Sequence, residues 1–464
     1  MLDLAADITA LRGADYNPRF IDAADLEALA GSIRTLGLVK PLIVRGDLLV
    51  AGHQRTRALR HMGVTTAPVF RLSSDTTIYD EIRFNQLHNG TDLDGGDEAV
   101  AISGGFDRTG WHVVEPGRIS GNQRAKLAVV RAEICTLIQR FGPWGGVVAN
   151  RAGEVIHAAQ YALAALATRT PLTVCVLDDE QVEPARALLS RQYGVFSYDK
   201  LARQTYIQTL AQMKRLRGGP SGKENRSTLY ETMVIPHIER EGERGIDFGS
   251  GQGDYAAALR RRGFDLHDVE LFRRCGSGLQ LDAIAINRMV TRMIGDIDRH
   301  GGYDFVVCDS VLNSVDCLDA ERAVMTVLNM LAAPGATVFF SGRPAEDIGK
   351  AAGYTKAARD RIRRVEFLDK DGFTALYREG RWFYQKFHTE AQVKELAEAF
   401  GFEIIRHHHP DNSWQVCVRK VRELPLESIF WACDYEFDIA LGDEIRLGRN
   451  ADVKRAVEGL YSEA

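Results

Sequence analysis

Hydrophobic positions along this chain fall into short apolar runs and helical stripes that alternate from one end to the other. Leu26, Leu29, Ile33 and Leu36 recur at helical spacing and predict a helix over Ala24–Leu36, stopped by Gly37. The runs Val39–Arg45 and Leu48–Ala51 predict two strands around a Gly46-Asp47 turn, and Pro68–Arg71 predicts a strand that closes the unit. The same order then returns: a stripe over Arg124–Phe141 with its stop at Gly142, apolar runs over Gly146–Gly153 and Glu154–Gln160, a helix Tyr161–Thr168 and a strand Leu172–Leu177. This reads as a second, degenerate copy of one α/β fold. A helical connection covers Ser73–Gly110, and Ser197–Arg217 reads as helix ending in the basic cluster Lys214, Arg215 and Arg217. The glycine-rich stretch Gly218–Lys223 reads as a linker.

Beyond it the alternation is that of a doubly wound α/β sheet. Strands are predicted at Gly245–Phe248, Tyr303–Asp309, Ala336–Phe340, Phe402–His407 and Trp414–Arg419, with helices at Tyr255–Arg262, Asp319–Leu331 and Ala391–Phe400. The expected domains are 1–100, 101–217 with a helical extension, a linker 218–228, 229–420, and a C-terminal extension 421–464.

Composition changes this picture little. In 464 residues, 45% hydrophobic and 26% charged residues are those of a soluble globular protein, and a net charge of −5 means that any polyanion site is a local patch. The seven cysteines lie mostly within apolar runs and form no C-x-x-C pair. Reduced thiols and a cytoplasmic location are therefore expected, with no membrane partner. Three adjacent histidines, His407–His409, end a predicted strand. Neighbouring strand positions face opposite ways, so they are read as a solvated terminus and no metal site is expected.

The chemistry concentrates at Asp247–Asp254, an aspartate followed by glycines at 249, 251 and 253, between a strand and a helix. Glycines let a backbone approach a ligand, and the helix N-terminus offers free N–H groups. These residues resemble the first motif of class I S-adenosylmethionine-dependent methyltransferases, which implies a Rossmann-like sheet and S-adenosylmethionine as cofactor. The resemblance assigns Asp247, Gly249, Ser250, Gly251 and Gly253 to the cofactor's methionine part and Glu270 to its ribose hydroxyls. It assigns Asp296 to the adenine side and counts Asp309, at the end of the fourth strand, among the cofactor-binding residues.

The N-terminal motif Asn17-Pro18-Arg19, Ser32-Ile33, Gly37, Pro41–Val44 and Gly52-x-x-Arg55-x-Arg57 resembles the ParB/sulfiredoxin superfamily. In ParB-type members the glycine-arginine box cradles nucleotide phosphates. The resemblance therefore implies phosphate or nucleotide binding by Arg19, Gly52, His53, Arg55 and Arg57. The family's glutamate is replaced by His53, which puts nucleotide hydrolysis in doubt. In the second copy Ala158, Ala159, Tyr161 and Leu163 replace the anion-binding residue types. That copy is expected to keep a structural role or to form a homodimer.

The acceptor is less legible. A base-cradling D/N-P-P-aromatic turn is absent, since Asp309, Ser310, Val311 and Leu312 stand there, and Cys308 among apolar neighbours reads as an inert core thiol. The succession Val311–Asp316 followed by Glu321-Arg322 resembles methyltransferases associated with DNA phosphorothioation systems. Asp309 and Asn313 are the candidate catalytic residues, with a helix cap and a turn hydrogen bond as the alternative roles. The insertion Gly342–Phe387 mixes Lys356, Arg359, Arg361, Arg363 and Arg364 with Phe367, Phe373, Tyr377, Trp382, Phe383 and Tyr384. It suits either a nucleic-acid face or a lid over a small substrate.

Together these features point to a methyltransferase acting in DNA or other nucleic-acid modification, whose ParB-like domain binds DNA or nucleotide. Two alternatives stand beside it: a small-molecule or nucleotide methyltransferase with a nucleotide-sensing domain, and a non-enzymatic ParB-like DNA-binding regulator.

Overall fold

The computed structural model describes residues 2–90, 99–121, 128–190, 193–201, 215–216, 224–275, 280–346, 368–378, 381–410, 413–442 and 445–462. The chain divides into two compact units. One is Met1–Ala202 with Ile348–Lys370 and Ala375–Arg381; the other is Arg203–Asp347 with Asp371–Thr374 and Trp382–Ala464.

The first unit holds two α/β motifs. In the first, β1 (Leu2–Asp7), helix α1 (Ala23–Leu36), β2 (Leu42–Arg45), β3 (Leu48–Ala51), α2 (His53–His61) and β4 (Thr66–Arg71) build a sheet in the order β1-β4-β2-β3, with the two-residue strand Arg12–Gly13 at its edge. Asp22 caps α1 by accepting from Asp25 N, and Gly37 ends it at φ 74°. A third helix, α3 (Ile78–Gly90), leads out of this motif.

The second motif comprises β5 (Gly110–Val114), α4 (Ala128–Phe141), β6 (Gly146–Asn150), β7 (Val155–His157), α5 (Ala159–Thr168) and β8 (Leu172–Leu177), followed by α6 (Asp179–Ser190). Its sheet order, β7-β6-β8-β5, is that of the first motif's β3-β2-β4-β1. The strand directions agree as well. In each motif the closing strand runs parallel to the one after the first helix and antiparallel to the opening strand. Both second helices start from a left-handed residue, Gly52 at φ 96° and Ala158 at φ 66°. The two motifs share one core, in which Ile43, Phe70 and Phe84 pack with Val147, Trp144 and Leu163.

The predicted helix at Ser197–Arg217 is not present where the chain is described: 197–201 and 215–216 are turn or irregular. Lys214, Arg217 and the linker Gly218–Lys223 lie outside the described residues, as do Lys356, Arg359, Arg361, Arg363, Arg364 and Phe367 of the insertion. Of its remaining aromatic rings, Phe373, Trp382 and Tyr384 are buried, and Tyr377 and Phe383 are half-buried.

The second unit opens with a π-helical turn, Tyr230–Val234, running into α7 (Ile235–Glu241). There follow β9 (Gly245–Phe248), α8 (Asp254–Arg261), β10 (Leu266–Val269), α9 (Ala283–His300), β11 (Tyr303–Cys308), α10 (Leu318–Leu331) and β12 (Ala332–Gly342). The unit closes with α11 (Glu390–Ala399), β13 (Phe402–His408), β14 (Trp414–Lys420), α12 (Leu426–Phe437) and α13 (Asn450–Ser462). The sheet order is β10-β9-β11-β12-β14-β13, parallel from β10 to β12 and antiparallel at β14 and β13. From β9 the chain winds one way to β10, then returns to the other side of β9 at β11. That reversal opens a crevice at the carboxyl ends of β9 and β11, where ligands of open α/β sheets bind.

Among the described residues no strand lies between β10 and β11, and β10 is the edge of the sheet. Helix α9 runs unbroken through Gly295 and Asp296, because Ile286, Met289, Val290, Met293 and Ile297 form one buried stripe. No described helix is long and apolar enough to cross a membrane, and all seven cysteines are free thiols.

Candidate functional site

The crevice between β9 and β11 opens into a pocket lined by the turn after β9, the end of β10 and the loop after β11, where ligands of open α/β sheets bind. Its floor is the turn after β9. Gly249 sits at φ 82°, and a Cβ there would come within 2.4 Å of Val311 Cγ2. Gly251 sits at φ 59° with open space above it. Both conformations favour glycine, and only at Gly249 does packing also demand it.

Carboxylates line this floor in sequence. Tyr230 Oη donates to Asp247 Oδ2 at 2.6 Å, while Asp247 Oδ1 is buried without a hydrogen-bond partner, as is Ser250 Oγ. Burial, with Asp309, Asp268 and Glu270 nearby, pushes the Asp247 carboxyl well above the usual range. Glu270 accepts from Gly251 N at 2.6 Å and from Phe272 N at 2.8 Å, yet burial outweighs these bonds and raises it to about 7. At the end of β11, Asp309 Oδ1 accepts from Ser341 Oγ at 2.7 Å and Ser310 Oγ at 3.1 Å, and its Oδ2 faces Arg215 Nη2 at 3.3 Å. Ser310 is held at φ 61°, a conformation costly for a residue with a Cβ.

Of the residues assigned from the sequence, Asp247, Gly249, Ser250, Gly251, Glu270 and Asp309 line this pocket together. Gly253 does not; its left-handed φ of 67° starts α8. Asp296 is also elsewhere. It is buried inside α9, salt-bridged to Arg244 at 2.6 Å, and does not line this pocket. Asn313 lies off the pocket too, its carbonyl accepting from Lys386 N, while the turn from Val311 to Ser314 brings Ser314 and Val315 to the wall. Cys308 is fully buried, and burial beside Asp247 and Asp309 pushes its thiol well above the usual range, which keeps it protonated.

Among the lining residues that sequence reasoning missed are Tyr230, Arg215 and Glu436. Tyr230 comes from a π-helical turn, a feature frequent at functional sites but without a sequence signature. Arg215 belongs to the basic cluster noted ahead of the linker. Glu436 comes from α12 in the C-terminal extension.

A second cleft lies in the first unit, where α2 begins. Gly52 at φ 96° leaves no room for a Cβ, which would meet Leu42 Cδ2 at 2.7 Å. Arg19, Lys40 and Arg55 provide the cations, and Leu29, Ile33 and Leu188 are among its apolar lining. Arg55 Nη1 donates to the Lys40 carbonyl at 2.8 Å, and Arg19 Nη2 to the Tyr193 carbonyl at 2.9 Å. His53 lines the cleft, but its Nε2 accepts from Ala14 N at 3.0 Å, and burial beside Arg55 pushes it down to about 4. It therefore brings no positive charge at neutral pH. Arg57 does not line the cleft; its helix position is exposed, and its Nη1 donates to Gln54 Oε1 at 3.4 Å. From the second motif comes His157, buried and held neutral by burial near Lys40 and Arg55.

Residues 223–407 match the family model of a methyltransferase domain, and residues 4–81 match that of the ParB N-terminal domain. The chain carries a ParB N-terminal domain and a methyltransferase domain. No curated protein matches it. Among solved structures, a SAM-dependent methyltransferase from Methanosarcina mazei is 15% identical, over 41% of this chain and 99% of its own, with a TM-score of 0.28. The 1,6-didemethyltoxoflavin-N1-methyltransferase of Burkholderia thailandensis is 14% identical, over 42% and 78%, with a TM-score of 0.28. The C-terminally truncated chromosome-partitioning protein ParB from Caulobacter crescentus, complexed with CTP-γ-S, is 28% identical over 19% and 53%, with a TM-score of 0.18.

The residues of the methyltransferase pocket fit S-adenosylmethionine. The glycine turn gives close backbone approach, Glu270 suits a vicinal diol, and the unpartnered Asp247 Oδ1 and Ser250 Oγ await polar partners.

Proposed function

We propose that the protein transfers a methyl group from S-adenosylmethionine to a nucleic-acid acceptor, and that its ParB-type cleft binds nucleotide or DNA. The observation that carries the methyl-transfer reading is the pair of buried, unpartnered oxygens, Asp247 Oδ1 and Ser250 Oγ, beside a glycine turn at the switch point of the sheet. The cofactor supplies an electrophilic methyl on a sulfonium. The protein's part is to hold, orient and exclude water.

In this reading Asp247, fixed by Tyr230, and the turn at 249–251 bind the polar groups of the methionine moiety. Glu270 takes the ribose hydroxyls as a carboxylate acceptor. Asp309, clamped by Ser341, Ser310 and Arg215, stands at the acceptor end and contributes polar contacts to the incoming group. Asn313 is not given a catalytic role.

The nucleic-acid part rests on the first unit. A helix N-terminus opened by Gly52, with Arg19, Lys40 and Arg55 around it, meets a polyanion as phosphate-binding sites do. The apolar wall opposite offers a surface for a base.

The test is transfer of radiolabelled methyl from S-adenosylmethionine to DNA, RNA and nucleotide pools, followed by nucleoside analysis. Label in DNA or RNA, with binding that weakens steeply in salt, is the expected result. Label only in nucleotides or small molecules would move the enzyme to the small-molecule class. Unchanged biological activity in Asp247→Ala would leave the protein a regulator. Unchanged nucleotide and DNA binding in Arg55→Ala would remove the cleft from the account.

A further inference from the structure

Glu436 lies outside the matched methyltransferase segment, on α12 of the C-terminal extension, yet it lines the same pocket as the glycine turn. It is 7% exposed, and no hydrogen bond or ion pair engages its carboxyl group among the described residues. A buried acid without a partner is costly unless a ligand completes it.

Its place along the pocket follows from its neighbours. The carboxyl groups acting on Asp247 are Asp309, Asp268 and Glu270, whereas those acting on Glu436 are Asp316 and Glu270. Its neighbours on α12 fix the place: Tyr435 Oη meets Cys317 Sγ at 3.2 Å just before α10, and the Phe437 ring lies 6.4 Å from that of Phe248 at the end of β9, so Glu436 enters the pocket beside Glu270 and the loop carrying Asp316. With the reacting end at Asp309 and the ribose at Glu270, the base of the cofactor falls at Glu436. The lining there includes the aromatic and apolar residues Phe272, Leu271, Val315 and Val324, a surface for the faces of a flat ring.

We propose that Glu436 reads the Watson–Crick edge of the cofactor's adenine, its carboxyl group accepting from the 6-amino group and donating to N1. This rests on the S-adenosylmethionine reading above. A protonated carboxyl presents an O–H and a C=O side by side, and adenine presents an acceptor and a donor at the matching spacing. The required protonation is consistent with the surroundings. Asp316 from the loop before α10 and Glu270 from the end of β10 face Glu436, with Tyr435 and Cys308 nearby. Arg273 and Arg274 act on Glu270. Burial and these like charges raise Glu436 to about 8. The extension thus supplies at Glu436 an acid for the role that the sequence motif assigns to Asp296.

The test is calorimetric binding of S-adenosylhomocysteine and its 1-deaza and 6-desamino analogues to the full chain. At pH 7 wild type should bind each analogue at least ~10-fold more weakly than the parent, since each leaves a buried polar group unpaired. Glu436→Gln, whose amide offers the same donor and acceptor, should keep the parent's affinity and lose its decline above pH 8. Glu436→Ala should bind parent and analogues alike. Wild type that binds parent and analogues equally, or Glu436→Ala with undiminished affinity, overturns the assignment while leaving the cofactor reading intact. Failure of wild type to bind S-adenosylhomocysteine overturns both. The analogue series on wild type needs no variant to fold.

Discussion

Asp247, Glu270 and Glu436 are three acids that the fold holds out of water, and each is raised above the usual carboxylate range chiefly by burial. An acid whose folded pKa exceeds its unfolded value binds protons in the folded state that the unfolded chain has released. Its contribution to stability is complete below the unfolded value, ~4.3, and is lost as pH rises through the folded one. The ligand-free methyltransferase unit should therefore lose stability between pH 5 and about 8, the value reached by Glu436, and level off above it. Denaturant unfolding across this range measures the slope. Glu436→Gln should flatten its upper part, and stability that climbed with pH would contradict the assignment. At this scale the sequence was informative where a residue acts through its neighbours in the chain. Asp247, Ser250 and Glu270 could be placed because strand, turn and strand end are local. Tyr230 and Arg215 could not, because only the fold brings them to Asp247 and Asp309.

The strand–turn–helix of β9 and α8 is the element that makes the pocket, and its glycines are not equivalent. Gly251→Ala places a methyl in open space at φ 59°, so only the left-handed backbone is penalised, at ~1–2 kcal/mol. Gly249→Ala adds a collision with Val311 at 2.4 Å to a φ of 82°, so its cost should exceed that of Gly251→Ala by ~1–3 kcal/mol and binding of S-adenosylhomocysteine should be lost. Equal unfolding midpoints for the two variants would refute this. Elements carrying such turn chemistry were legible in the sequence, and so was the alternation of strands around them. Helix α9 was not. Asp296 was assigned to the adenine side and no helix was predicted over it, but one helical glycine, Gly295, costs only ~1 kcal/mol. The buried stripe from Ile286 to Ile297 readily outweighs that and carries the helix through. Helix α12 was passed over because an amphipathic segment beyond the last strand reads as an appendage. Only packing of Ile429, Cys433 and Phe437 makes it a wall of the site.

At the scale of the whole chain, each unit has its own hydrophobic core. One is built around Phe84, Trp144 and Val147, the other around Tyr230, Phe305 and Phe339. Domain type could be read from the order of motifs, because each unit repeats a known alternation of elements. That the two α/β motifs of the first unit share a core could not, since Phe84 and Trp144, whose ring centroids lie 5.3 Å apart, meet only after the intervening chain has folded. Separate cores predict separate unfolding. Calorimetry should resolve two transitions, and a ligand stabilises only the state that binds it. S-adenosylhomocysteine at ~100 times its dissociation constant contributes ~2.7 kcal/mol and should raise one transition by ~5–10 °C while leaving the other in place. A nucleoside triphosphate that occupies the cleft at Gly52 and Arg55 should move the other transition alone. Arg55→Ala should abolish that second shift and spare the first. If both ligands moved one common transition, the cores would be unfolding as a single cooperative body, and occupancy of the ParB-type cleft would then stabilise the methyltransferase unit directly.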